Sequence, residues 1–244
     1  MERVVAQRRV AAGEMLSVPP LPASLHTRVE AMGLRPDTAE VVRMLAADLV
    51  GYQDARYADR LLDVVDRVAA AEHALDGVPG ERLTDTVART LHKLMAYKDE
   101  YEVARLMLLP ESDAAAAEAG TGRRSFLLHP PMLKALGRTG KIRFDDRSRP
   151  VFTALAAGKR LRGTRLDPFG ATEMRRTERA LVGEHVGLVL LLLDGLTGST
   201  HARAVQIAGM VDSVRGYEDL KLRRVAEHRA AVAEAVAGWP GPRG

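Results

Sequence analysis

The sequence predicts a mainly α fold: an antiparallel helical bundle with one long helix and a small β-hairpin. Three observations carry this reading. Ala, Leu and Val abound while aromatic residues make up only 4% of the 244 residues, which favours helices and an aliphatic core. Apolar residues recur at three- and four-residue spacing over most of the chain. Short Gly- and Pro-containing turns separate these segments, as between antiparallel neighbours in a bundle, and no repeat of fixed period is present.

In chain order, residues 1–15 read as a short amphipathic helix, and Pro19, Pro20 and Pro22 as an extended linker. Ser24 to Met32 forms another short helix ended by Gly33. After Pro36, Asp37 with Glu40 resembles a capping box that opens a long helix at Thr38. That helix carries Val41, Leu45, Leu49, Tyr52, Leu61, Leu62, Val65 and Val68 and runs to about Leu75. Unbroken it would span roughly 55 Å, so a break or bend near Gly51 is the alternative. Asp76 to Gly80 closes it.

A second helix is expected from Thr84 to Leu109, stopped by Pro110. Glu111 to Gly122 is Ala-rich, either a helical linker or a loop. Arg124–Leu128 and Lys141–Phe144 are candidate strands, with His129-Pro130-Pro131 and Gly137 to Gly140 between them. A short helix over 150–158 follows, then an irregular connection through Gly163 and Asp167-Pro168-Phe169-Gly170. Helices are expected at Ala171–Asp194, His201–Gly209 and Tyr217–Ala237. The division this suggests is short helices and linker over 1–36, a helical domain over 37–238 and a tail over 239–244.

Two helical faces break the apolar pattern. The stripe Val87, Leu91, Leu94, Met95 continues by threes and fours onto Lys98, Tyr101, Glu102 and Arg105. At these spacings the three ionic groups can neutralise one another. Lys before Glu is the weaker order for an isolated helix, so local stability explains the pattern poorly. Burial costs several kcal/mol per ion before pairing, which points to a demand of geometry, interface or ligand. In the Ala171–Asp194 helix, Glu178 interrupts the stripe of Met174, Leu181, Val182, His185, Leu188, Val189 and Leu192. Arg175, Arg176 and Arg179 stand close by, and a carboxylate there is the natural partner of a guanidinium.

Absent residue types exclude several chemistries for this chain. There is no cysteine, which removes disulfides, thiolate nucleophiles, iron–sulfur ligation and Cys-based zinc sites. The longest apolar run, Val186 to Leu193, is short of a membrane span, and the first residues lack the apolar centre of a signal peptide, so a cytoplasmic protein is expected. A net charge of +4 and a pI of about 9.6 come from interspersed Arg and Glu, not from a basic patch, so nucleic acid is not the expected partner. No phosphate-binding loop, nucleophile elbow or His-Glu-x-x-His helix is present. Gly120-Thr121-Gly122 reads as a loop. His185 reads as a core histidine, and His129, beside two prolines, as the more exposed candidate.

Three stretches carry a family resemblance. The block Lys93-Leu94-Met95-Ala96-Tyr97-Lys98-Asp99-Glu100-Tyr101-Glu102-Val103-Ala104-Arg105-Leu106 resembles the signature of the C-terminal accessory domain of large fused indolepyruvate ferredoxin oxidoreductases. Leu161-Arg162-Gly163-Thr164, Leu166-Asp167-Pro168-Phe169-Gly170, Arg175-Arg176 and Glu178-Arg179-Ala180-Leu181 are similar to a second block of that domain. His201-Ala202, Ala204-Val205, Ile207-Ala208, Arg215-Gly216-Tyr217 and Lys221 resemble a third. Tyr52-Gln53-Asp54-Ala55 with Tyr57-Ala58 looks like the family's long helix, and the likeness spans residues 40 to 225. Ser125-Phe126-Leu127-Leu128-His129-Pro130-Pro131 departs from the family's Phe-His-Leu-Ala-Pro-Pro, which weakens any role for His129.

The resemblance implies a non-catalytic subunit that docks on the catalytic subunits of a 2-oxoacid ferredoxin oxidoreductase. Thiamine diphosphate, Mg and 4Fe-4S clusters are implied only in that partner. This chain lacks cysteine and also asparagine, so the Gly-Asp-Gly…Asn motif that anchors Mg-diphosphate is missing. The residues expected to form polar networks or a binding site are Tyr97, Lys98, Asp99, Tyr101, Glu102, Arg105, Arg162, Asp167, Arg175, Arg176, Glu178, Arg179 and Arg215. The alternative is a stand-alone helical protein or enzyme that binds a small carboxylate or CoA-type ligand through these arginines and tyrosines, with Tyr217.

Overall fold

The computed structural model describes residues 20–108, 126–128, 142–144, 149–170, 172–215 and 218–241. These are mainly helical and fall into two compact units, one of Pro20–Tyr97 with Thr172–Gly244 and one containing Lys98–Ala171. The contacts divide the chain near residues 97 and 171. The helix expected over 1–15, the Ala-rich segment 111–122, the His129-Pro130-Pro131 step and Tyr217 lie outside the described residues.

In the first unit, α1 (Ala23–Ala31) ends before Gly33, whose φ of 65° lets the chain reverse. Next, α2 (Pro36–Tyr52) has Pro36 in its first turn and no side-chain cap. The capping box of Asp37 and Glu40 is therefore not formed: proline sets φ for the first helical residue, which makes Arg35 the cap position. The long helix expected from Thr38 to Leu75 is two helices. Gln53 leaves helical geometry, and Asp54 caps α3 (Ala55–His73) by accepting the Tyr57 amide at 2.8 Å. A carboxylate cap satisfies one of the orphan amides of a new helix, so the break forms two residues beyond Gly51.

Gly77 and Gly80, both with positive φ, turn the chain into α4 (Arg82–Met95). This helix packs against α2 and α3, and also against α7 (Glu173–Asp194) and α8 (His201–Gly209). A 3-10 turn, Met210–Ser213, leads towards α9 (Glu218–Val236). Tyr52, Leu61, Leu62, Leu83, Leu91, Met95 and Leu192 are among the largest fully buried side chains. The core is aliphatic, as the composition requires.

The helix expected from Thr84 to Leu109 also breaks. Ala96 takes a non-helical ψ of 50°, and α5 (Glu100–Met107) begins afresh with Asp99 as its cap, the carboxylate accepting the Glu102 amide at 2.8 Å. Two interactions outweigh continuation. Asp99 caps, and Tyr97 turns inward against Tyr52, whose hydroxyl donates to the Tyr97 carbonyl at 3.2 Å. Lys98 thus lies in the connection, exposed, and does not extend the α4 stripe.

In the second unit, α5 packs on α6 (Arg149–Ala157), which tightens into a 3-10 turn over Gly158–Leu161. Two short strands, β1 (Phe126–Leu128) and β2 (Ile142–Phe144), pair in antiparallel register with Phe126 opposite Phe144. The residues that join them lie outside the described ones. Among the described residues no helix is long and apolar enough to cross a membrane.

Candidate functional site

The singled-out residues form polar clusters within each unit. In the unit containing Lys98–Ala171, Arg162 meets Asp99 in a two-point ion pair. Its Nε donates to Oδ2 at 2.5 Å and its Nη2 to Oδ1 at 2.9 Å, with side chains 4% and 3% exposed. The fork of a guanidinium fits a carboxylate at both oxygens, and so deep a pair is tolerated only with such geometry. Asp99 does double duty, since its Oδ1 also caps α5. One turn on, Glu102 is buried and accepts from Arg105 Nε at 2.8 Å and Nη2 at 2.9 Å.

The Arg162 guanidinium carbon lies 5.5 Å from the centroid of the Tyr101 ring, and Phe169 meets that ring edge-on with centroids 5.1 Å apart. The Tyr101 hydroxyl donates to Asp167 at 3.1 Å. Burial and then the Asp167 charge push the phenol far above its ordinary pKa, so it remains a donor. Asp167 also accepts the amides of Gly163 at 2.8 Å and Phe169 at 3.1 Å. This closes the loop that carries Arg162. Gly163 supplies a φ of 74°, and a Cβ on Gly170 would stand 2.6 Å from the Asp167 carboxylate, so both glycines are required where the loop folds on itself.

The other cluster lies in the first unit. Glu178, 6% exposed, accepts from Arg175 Nη1 at 2.7 Å and forms a short ion pair with Lys221 on α9. The Arg175 guanidinium sits 5.6 Å from the buried Tyr97 ring, a cation–π contact. Three further candidates stand on α7 and beyond it. Arg176 is exposed, Arg179 is half-buried further along α7, and Arg215 is exposed with its Nε on the Asp212 carbonyl at 2.9 Å.

Sequence reasoning missed a third cluster. Glu72, 2% exposed, accepts the amides of Leu83 at 2.9 Å and Thr84 at 2.8 Å and the Thr84 hydroxyl at 2.7 Å, and meets His201 Nε2 at 2.5 Å. A carboxylate from α3 thereby caps the start of α4 and ties in α8. The signal was present: Glu72 follows Val65 and Val68 on the buried face of α3, as Glu178 interrupts α7. Glu81 lies nearby. Burial alone would push it up, but hydrogen bonds from His73, Thr38 and the Arg35 amide hold its carboxyl below the usual value.

His185 is a core residue, with Nε2 against the Thr90 hydroxyl at 3.0 Å. Burial, then the neighbouring His228, lowers its pKa to about 4, so it is neutral at physiological pH.

Two clefts open in the first unit. One of about 400 Å³ is lined by Arg35, Glu72, His73 and Glu81, and one of about 250 Å³ by residues of α3, α4 and α7. Neither is lined by the paired arginines Arg105, Arg162 or Arg175.

Residues 38–234 match the profile of a family of unknown function, DUF6537. The chain belongs to that family. The match runs through both compact units and all three clusters, so the DUF6537 unit is more than either half alone. No curated protein and no solved structure matches the chain.

Proposed function

We propose that this DUF6537 chain is a non-catalytic accessory subunit that assembles with the catalytic subunits of a 2-oxoacid ferredoxin oxidoreductase of the arylpyruvate type. The resemblance of its sequence blocks motivates the reading. The observation that carries it against the alternative is that Arg105, Arg162 and Arg175 are each met by a carboxylate of the chain itself. A stand-alone site for a carboxylate or CoA phosphate needs guanidinium groups directed at the ligand. These are spent on holding the fold, which supports a structural role for the blocks.

The cofactors of such an enzyme do not fit this chain's donors. It has no cysteine for a 4Fe-4S cluster and no asparagine for the Mg-diphosphate motif of a thiamine enzyme. Decarboxylation, electron transfer to ferredoxin and acyl-CoA formation are assigned to the partner. We read the unit of Pro20–Tyr97 with Thr172–Gly244 as an antiparallel bundle and β1 with β2 as the arms of a small hairpin. The same reading places the chain in the cytoplasm beside the enzyme it serves.

Native purification tests the proposal. The chain is expected to co-elute with the thiamine-diphosphate and ferredoxin-type subunits of such an enzyme. A chain that stays alone in their presence, or one that turns over a 2-oxoacid with nothing else added, overturns it.

A further inference from the structure

We propose that the 250 Å³ groove of the first unit, together with the adjoining outer face of α7, is the docking surface for an amphipathic helix of the catalytic partner, apolar on one face and acidic on its flank. The inference rests on the accessory-subunit reading and specifies where that contact is made. Met95, Val186 and Leu190 form the apolar wall of the groove. Arg60 and Arg67, two turns apart on α3, stand on its rim with Asp63 between them.

The rim is electrostatically uneven. Arg28 holds both Asp63, at 2.6 Å, and Asp59, in a short pair, so each of these carboxylates already has a guanidinium other than Arg60 or Arg67 beside it. Arg60 lies 5.3 Å from the Tyr57 ring. Among the described residues neither Arg60 nor Arg67 has a carboxylate at ion-pair distance. Two unmatched guanidinium groups beside an apolar groove fit a partner that brings carboxylates with its apolar face.

The neighbouring face of α7 points the same way. Gly183, Val186, Gly187 and Leu190 follow one another at helical spacing, and Leu191 beside them is 43% exposed. Glycine weakens a helix interior relative to alanine. Here neither glycine has positive φ, and a Cβ on Gly183 or Gly187 would meet none of the described residues within 4 Å. Nothing among the described residues demands the missing side chains. A helix laid along this face does demand them, because small residues let two backbones approach closely; the apolar wall and arginine rim beside it then determine which helix fits.

Binding of the full chain to the purified catalytic subunits is the test, measured for wild type, Gly187→Leu and the Arg60→Glu/Arg67→Glu pair. Leucine favours the helix, so Gly187→Leu is expected to keep its circular dichroism and thermal midpoint. It is expected to bind roughly tenfold or more weakly, mostly through faster dissociation. The charge reversal is expected to weaken binding likewise and to flatten its salt dependence. If Gly187→Leu does not fold, the charge-reversal pair decides alone. Wild-type binding that both variants retain overturns this surface and leaves the subunit reading standing. A wild type that ignores the catalytic subunits overturns both. Self-association by light scattering that Gly187→Leu abolishes makes the occupant a second copy of the chain and overturns the partner helix.

Discussion

Arg162 and Asp99, 63 positions apart, form a buried two-point ion pair in which the same carboxylate also caps α5. The pair joins the first two of the three sequence blocks that carry the family resemblance. Removing the carboxylate takes the two-point partner from a guanidinium only 4% exposed and uncaps a helix.

Asp99→Ala is therefore expected to cost about 3–5 kcal/mol, breaking of a buried pair being the larger part and the lost cap about 1 kcal/mol. Urea unfolding followed by circular dichroism reads the loss. Asp99→Leu combined with Arg162→Met is expected to be less damaging than Asp99→Leu alone, because no buried charge is left unmatched. A double variant as unstable as the sum of the singles contradicts this account.

Glu72 accepts from two amides, a hydroxyl and an imidazole. Glu72→Ala leaves all of these buried donors without it, at a cost of about 3 kcal/mol or more. Glu72→Gln keeps the shape and one acceptor oxygen and is expected to lose less. Thermal midpoints of the two variants, measured side by side, should fall in that order.

Acid is expected to destabilise the protein through His185. The unfolded side chain titrates at 6.5 and the folded one at about 4, so between these values the unfolded state binds more protons and stability rises with pH. The contribution is complete above pH 6.5, declines as pH falls, and is lost below about 4. It amounts to about 3 kcal/mol at full extent. Thr90 and His228 face the ring, Asp212 acts more weakly, and the downward shift of His228 has the same sign. Urea midpoints between pH 7.5 and 4.5 should show a shallower slope for His185→Gln than for wild type.

Gly195 ends α7 where the C-terminal segment returns. An added Cβ would lie 2.4 Å from the Pro240 carbonyl oxygen and 2.7 Å from Trp239 Nε1. Gly195→Ala is expected to push this segment off, costing about 1–3 kcal/mol. Trp239 is the only tryptophan, so its fluorescence maximum should move to the red as the ring enters water. An unchanged spectrum would mean that the segment is not seated on Gly195.

The helices were legible where one signal dominated. The long apolar stripe of α7 and its turn at Gly195 determined that helix to within two residues of its expected start, and Gly33, Gly77 and Gly80 marked their turns through their backbone freedom. The breaks leave no mark in the periodicity, which does not stop at them. Asp54 and Asp99 interrupt helices by capping the next one, and the same residue type is tolerated on helix surfaces elsewhere. Lys98 falls on the continued α4 stripe by spacing alone for that reason.

Composition and local pattern alone determined that the protein is mainly helical, built on an aliphatic core, and that carboxylates and arginines stand on inward faces. Those properties depend on side-chain spacing within one helix. Tertiary structure alone decided which charge meets which: Asp99 with Arg162, Glu178 with Lys221, Glu72 with His201. Partners so far apart in sequence leave no periodic trace, and their pairing depends on where the packed helices bring each desolvated ion within reach of its opposite.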